Sequence, residues 1–202
     1  MLDEFPVSIE TKRQISDGPE VCLRWMIAEL RHLLAGQGIS EENLLAIGIG
    51  LPGPVEHSTG KPASPPIMMG WDAFDVPARV NQDFKAKVLV DNDVNVMALG
   101  ERHASYPDVD HLIFLKAATG IGSGIISGGE LQRGAQGTAG DIGHVRVSGG
   151  GDVSCHCGNF GCLEAVASAP AIIKKLNAEG LPVRNTSDLI DATKRAKVEA
   201  IQ

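Results

Sequence analysis

Between Gly140 and Ser168 the chain reads GDIGHVRVSGGGDVSCHCGNFGCLEAVAS, and His144, Cys155, Cys157 and Cys162 in that run offer one imidazole and three thiols. Thiolate sulfur and imidazole nitrogen are the ligands that close a tetrahedron around Zn²⁺. Cys-x-Cys-x-x-x-x-Cys delivers three sulfurs from one tight, glycine-bearing loop, and His144 reaches in from the preceding segment. Four protein ligands leave no position for a substrate, so the spacing predicts a structural zinc that fixes a loop and orients its neighbours. Disulfides are the competing use of cysteine, and they belong to oxidising compartments. The chain opens without a positively charged, apolar leader and holds no apolar run of membrane-spanning length, so a cytoplasmic protein without membrane attachment is expected. Cys22 stands apart in a helical pattern, as a small buried apolar side chain would.

Three further constellations could carry chemistry. Asp141 and Glu164 flank the cysteine loop, and a metal-bound imidazole at His144 would keep its second nitrogen as an N–H donor. Two acceptors and one oriented donor suit a polyhydroxylated ligand, although the same carboxylates could instead support the metal ligands or cap a helix. Asp93 follows a β-branched stretch, and a carboxylate at the carboxyl end of a parallel strand faces the crevice where α/β folds bind ligands. It could accept a substrate proton there, with Asn92 donating and accepting beside it. Equally, Asp91, Asn92 and Asp93 could turn the chain and cap the next helix. Thr119-Gly120-Ile121-Gly122-Ser123-Gly124 could cradle an anion on backbone N–H groups or simply form a tight hairpin, and it lacks the lysine of a P-loop.

These groups need elements to hold them. At 202 residues, 43% hydrophobic and 4% aromatic, the chain can bury one or two cores. A net charge of −7 argues against a nucleic-acid surface within these residues, because phosphate binding needs clustered Lys and Arg. Alternation predicts a strand over Phe5 to Thr11, and Asp17 with Glu20 resembles a capping box for a helix carrying Leu23, Met26, Ile27, Leu30, Leu33 and Leu34 up to Gly36. A strand over Leu44 to Leu51, a helix over Val76 to Phe84 and a strand over Lys87 to Val90 complete an α/β pattern with a mostly parallel sheet. The Tyr106-Pro107-Asp108 break divides domains 1–108 and 109–202. Beyond it come a strand over His111 to Leu115, a hairpin at Ser127-Gly128-Gly129, a helical pattern over Leu163 to Asn177 that Pro170 should interrupt, and a helix from Thr186 to Gln202.

The motifs Gly48-Ile49-Gly50-Leu51-Pro52-Gly53-Pro54-Val55, Asp91-Asn92-Asp93-Val94-Asn95, Thr119 to Gly124, Gly140-Asp141-Ile142-Gly143-His144 and Cys155 to Glu164 occur in one order that resembles the ROK family, which groups bacterial sugar kinases with sugar-responsive transcriptional repressors. The resemblance spans roughly residues 44 to 168. It implies an actin-like, ribonuclease-H-type fold of two α/β domains with a sugar in the cleft between them. Asn92, Asp93, Asp141, His144 and Glu164 then match sugar contacts, Asp93 also the catalytic base of the kinases, and Thr119, Gly120 and Gly122 the phosphate turn.

Departures from the kinase pattern direct the functional expectation. Asp141 stands where the kinases usually carry Glu, as in the repressor branch, and Ala118 stands where they commonly have Gly. The Asp-x-Gly-x-Thr phosphate motif and the adenosine-binding segment are absent from these residues, so the fold is expected to be truncated at both ends, with exposed sheet edges that self-association would cover. Phosphoryl transfer depends on holding ATP, Mg²⁺ and acceptor in line. The expectation is therefore a sugar-binding effector module of a ROK-type regulator, homo-oligomeric, touching DNA only through a domain outside this chain. The other reading is an ATP- and Mg²⁺-dependent hexose kinase whose nucleotide-binding segments are missing from this chain.

Overall fold

The computed structural model describes residues 7–65 and 68–199, and the chain falls into two compact units that divide between Val96 and Met97. In the first unit a short 3₁₀ turn, Ile15–Asp17, leads into helix α1, Pro19–Gly36. Leu23, Ile27 and Leu34 recur at helical spacing and are the buried face of α1. Burying each of them contributes about 1.5–3 kcal/mol. They pack in one cluster with Ile47, Ile49 and Leu51 of β1, Ala46–Leu51, whose alternate residues are the exposed ones. Strand β1 pairs in parallel with β4, Lys87–Asn92, in a register that sets Gly50 against Asp91 and Leu51 against Asn92. Two short strands, β2 (Val55–Glu56) and β3 (Lys61–Pro62), form an antiparallel ribbon, and helix α2, Val76–Val80, starts on an Asp75 carboxylate that accepts the Ala78 N–H at 2.9 Å. Trp71, 1% exposed, fills the same core and donates its indole N–H to the Ile15 carbonyl at 3.0 Å. Helix α3, Asp93–Ser105, follows β4 without a loop.

In the second unit β5 (Leu112–Ala117), β6 (Ile121–Ser127) and β7 (Glu130–Gln132) make an antiparallel meander. Gly128 and Gly129, both at positive φ, supply the two-residue turn that antiparallel twist favours. A 3₁₀ turn at Ile142–His144 precedes the cysteine loop, and α4 (Leu163–Ala167), α5 (Ala169–Ala178) and α6 (Thr186–Glu199) follow it. Pro170 lies in the first turn of α5, where its missing N–H costs nothing, so it restarts the helix after the Ser168 break. The expected end of the last helix at Gln202 lies outside the described residues.

Local expectations differ from the structure in four places, and α2 is the simplest, ending at Val80 with Asn81 as its C-cap rather than at Phe84. Val7 to Thr11 is not a strand: no described strand pairs with it, and Val7 and Ile9 stay exposed, so alternation alone has no ladder to join. Phe5, where that strand was to begin, lies outside the described residues. Asp17 does not cap α1. Its carboxylate reaches back to the Gln14 N–H at 3.2 Å, Gly18 at φ 88° occupies the N-cap of α1, and Glu20 instead accepts from Arg79 at 3.1 Å. The turn expected over Thr119 to Gly124 is confined to Ala118–Gly120, since Ile121 onward pairs with β5.

Candidate functional site

One ligand atom from each of His144, Cys155, Cys157 and Cys162 lies within 4.8 Å of the other three, a set that could hold a metal ion. The loop is built to bring them there. Cys155 N–H donates to the Asn159 carbonyl at 2.8 Å and Gly158 N–H to the Cys155 carbonyl at 3.0 Å, which folds the two nearer sulfurs inward. Gly161 N–H on Val153, Val147 N–H on Gly161 and Leu163 N–H on Val145 lash the loop to the segment after His144. Gly143 is required on that side, because a Cβ there would overlap the Ile121 carbonyl of β6. Cys155 and Cys162 are buried and Cys157 is half-buried. Nδ1 of His144 faces the Cys155 sulfur at 3.6 Å, and Nε2 is turned toward the Asp141 carboxylate at 3.9 Å.

The carboxylate of Glu164 lies in the first turn of α4, directly after the Cys162 N-cap residue. It accepts the Ile121 N–H at 2.9 Å, so it closes onto the glycine turn rather than standing off it. The turn is further tied by Ala118 N–H to the Gly120 carbonyl and by Ala169 N–H to the Ala118 carbonyl. Gly122 lies within β6, opposite Lys116, and Thr119 is exposed at the tip.

At the carboxyl end of β4, Asn92 caps α3. Its Oδ1 accepts from Val94 N–H at 2.9 Å and Asn95 N–H at 3.3 Å, while its Nδ2 donates to the Gly53 carbonyl at 3.0 Å. Asp93 opens the helix, its carboxylate accepting the Val94 N–H at 2.9 Å. Gly50 of β1 lets this end approach, since a Cβ there would come within 3.3 Å of the Asp93 Cα. Buried Asp91 accepts from the Asn95 side chain at 2.9 Å and sits 3.5 Å from His57 Nδ1. His57 carried no sequence signal, because the thirty-three residues between it and Asp91 are closed only by the fold.

The sequence model of the ROK family matches residues 5–201. This chain belongs to the ROK family. It is 35% identical over 182 residues to a glucokinase of Halalkalibacterium halodurans, an alignment covering 90% of this chain and 54% of that protein. To a xylose repressor of Caldicellulosiruptor bescii it is 36% identical over 178 residues, covering 86% and 44%. Among solved structures, the ROK hexokinase from Thermus thermophilus is similar with a TM-score of 0.69 at 27% identity, covering 89% of this chain and 59% of the hexokinase. The chain thus spans about half the length of the curated relatives it matches. Its fold is the actin-like, ribonuclease-H-type α/β fold of ROK proteins.

Electrostatics in the ROK chain single out the same cluster. Burial pushes the Cys162 thiol up to about 12, and its neighbours Cys157 and Cys155 add to the rise. Against the cost of burial, hydrogen bonds from Asn159, Cys155 and Cys162 hold the Cys157 thiol below its ordinary value. Three sulfurs this close cannot all ionise unaided, and a cation among them removes the conflict. Burial also raises the Asp141 carboxyl, against the pull of His144 and with the push of Glu164. No described helix is long and apolar enough to cross a membrane.

Proposed function

We propose that this chain is the sugar-binding effector part of a ROK-type transcriptional regulator, in which a zinc ion held by His144, Cys155, Cys157 and Cys162 shapes the sugar-recognising residues. The observation that carries the zinc is the spacing of the cluster. Tetrahedral zinc with Zn–S of about 2.3 Å and Zn–N of about 2.0 Å sets sulfurs about 3.8 Å apart and sulfur and nitrogen about 3.5 Å apart. Cys157 and Cys162 sulfurs are 3.8 Å apart, and the Cys155 sulfur is 3.6 Å from His144 Nδ1. The ion, when bound, supplies rigidity and not a reacting position, because four protein ligands complete it.

With Nδ1 committed to the cluster, Nε2 of His144 carries the proton and donates it to a sugar hydroxyl, with Asp141 3.9 Å away. Asp141 and Glu164 accept from hydroxyls, and Asn92 and Asp93 supply a second donor and acceptor set on residues 1–108 of the two-domain division. The regulator reading is supported by the glycine turn. There Ile121 N–H already serves the Glu164 carboxylate, a negative group where a phosphate would need positive character, and Ala118 adds a methyl beside it. Such a regulator is homo-oligomeric and cytoplasmic, and the net charge of −7 assigns its DNA contact to residues outside this chain.

The glucokinase relative, matching 90% of this chain, favours a second reading. Asp93 would then take the proton from the attacking sugar hydroxyl, with Thr119, Gly120 and Gly122 near the phosphates of Mg²⁺-ATP. Calorimetry with a panel of hexoses and amino-hexoses on the zinc-loaded chain tests the sugar site, and a coupled ADP-release assay on the full-length protein separates the two readings. Binding of at least one sugar by the chain and no turnover by the full-length protein are expected; turnover establishes the kinase, and absence of heat with every sugar removes both readings.

A further inference from the structure

We propose that Cys157 is an oxidation site, and that its juxtaposition with Cys162 makes the four-ligand loop a peroxide-sensitive switch acting on Glu164; this rests on the zinc reading above. Of the three clustered thiols, Cys157 is the half-buried one and the other two are buried, so a small oxidant in solution meets Cys157 first. Its sulfur lies 3.8 Å from that of Cys162, so about 2 Å of approach makes a disulfide. Gly158 and Gly161, at φ 88° and 72°, bracket the intervening residues and leave the backbone free to supply that approach.

The chemistry balances with hydrogen peroxide as oxidant. The Cys157 sulfur attacks one peroxide oxygen, the O–O bond breaks, and hydroxide leaves with the electron pair, giving a sulfenic acid. Cys162 then attacks the sulfenic sulfur, the S–O bond breaks, and the second hydroxide leaves. Two protons from solvent convert both hydroxides to water, so two zinc-bound thiolates, one peroxide and two protons give one disulfide and two waters, the sulfurs losing the two electrons the peroxide gains.

Oxidation removes two of the four ligands and leaves His144 and Cys155, a set too small for a structural site. Cys162 is also the N-cap residue of α4, and Glu164 in the first turn of that helix holds the Ile121 N–H. Moving Cys162 therefore moves the carboxylate and frees the glycine turn. Among the described residues the other thiol is Cys22, which donates to the Gln14 carbonyl at 3.3 Å and is not part of the cluster.

The test uses the full chain, its zinc content first fixed by elemental analysis. Hydrogen peroxide is then titrated in while a chromogenic chelator follows zinc release, alkylation with mass spectrometry maps the cysteines, and hydrogen exchange reads the Ile121 amide. One zinc released per chain, a Cys157–Cys162 disulfide and at least tenfold faster exchange at Ile121 are expected, all reversed by dithiothreitol with added zinc. Protein that binds no zinc at the outset sinks the metal reading and the switch together. Zinc that stays bound, a pairing through Cys155, or an unchanged Ile121 amide overturns the switch and leaves the metal in place. Cys22→Ser should release zinc at the same peroxide concentration, and protection by that variant would move the oxidation site to Cys22.

Discussion

Around α1, β1 and β4 the chain buries Leu23, Ile27, Leu34, Ile47, Ile49, Leu51 and Val90 in one apolar cluster, whereas from Gly140 to Leu163 the buried residues are Gly143, Gly150, Gly161, Cys155 and Cys162. The first region is stabilised by non-directional removal of apolar surface from water, which tolerates some reshaping. The second has almost no apolar area to bury, so it relies on backbone hydrogen bonds, on glycines that permit close approach, and on whatever joins the four ligands. Two regions of one chain thus rest on supports that fail for different reasons. If zinc occupies the cluster as proposed, the largest expected effect follows from removing it. Structural zinc in small sites contributes on the order of 10 kcal/mol at neutral pH. Treatment with a chelator should therefore raise hydrogen exchange throughout 143–163 by at least a hundredfold and leave the amides of α1, β1 and β4 unchanged. Retained protection in the loop would show that glycine packing suffices without metal.

The converse perturbation is Trp71→Ala. Trp71 is 1% exposed, and deleting a buried aromatic of this kind costs about 3–5 kcal/mol. Denaturant unfolding followed by tryptophan fluorescence should show that loss, since the remaining tryptophan, Trp25, also lies in the first unit. Zinc stoichiometry should not change, and a parallel fall in bound metal would mean that the two supports share their stability.

Legibility in the sequence follows the same division. The cysteine loop was readable because all four ligands fall within nineteen residues and their chemistry is specific, and α1 because its apolar period is long. The Glu164 contact with Ile121 was not readable, since a carboxylate 43 residues away reaches that amide only after β6 and α4 are in place. Asp17 was misread because its Gln14 partner lies upstream, and a carboxylate reaching back looks the same in sequence as one reaching forward. Asn92 and Asp93 were read as ligand groups and, together with Asp91, as a turn and helix cap, and the structure shows that Asn92 does cap α3. Asn92→Ala should then cost about 0.5–2 kcal/mol of stability, while Asn92→Ser, which keeps a capping oxygen but drops the Nδ2 donor to the Gly53 carbonyl, recovers the capping part of that loss. Sugar affinity measured on both separates the roles. If Asn92 also donates to the ligand, Asn92→Ser loses affinity beyond its loss of stability; if it only caps, affinity follows stability.

Acid should break the two supports in sequence, with the smaller effect last. Zinc ligands must be deprotonated to bind, and burial with its sulfur neighbours pushes the metal-free Cys162 thiol up to about 12, so protons compete with zinc well above the carboxylate range. In the first unit Arg79 and, behind it, Arg31 hold the Asp83 carboxyl below its ordinary value, despite some burial. A folded value below the unfolded one means that this clasp stabilises fully above about pH 4 and is lost only as pH falls through the depressed value. On titration from pH 7, zinc release should therefore precede any change in tryptophan fluorescence. Asp83→Asn should cost up to about 1 kcal/mol at pH 7, as expected for a surface ion pair, and the difference from the parent chain should shrink to nothing below the carboxylate range. Fluorescence that changes before zinc leaves would reverse the order of the two supports and place the weaker one in the apolar core.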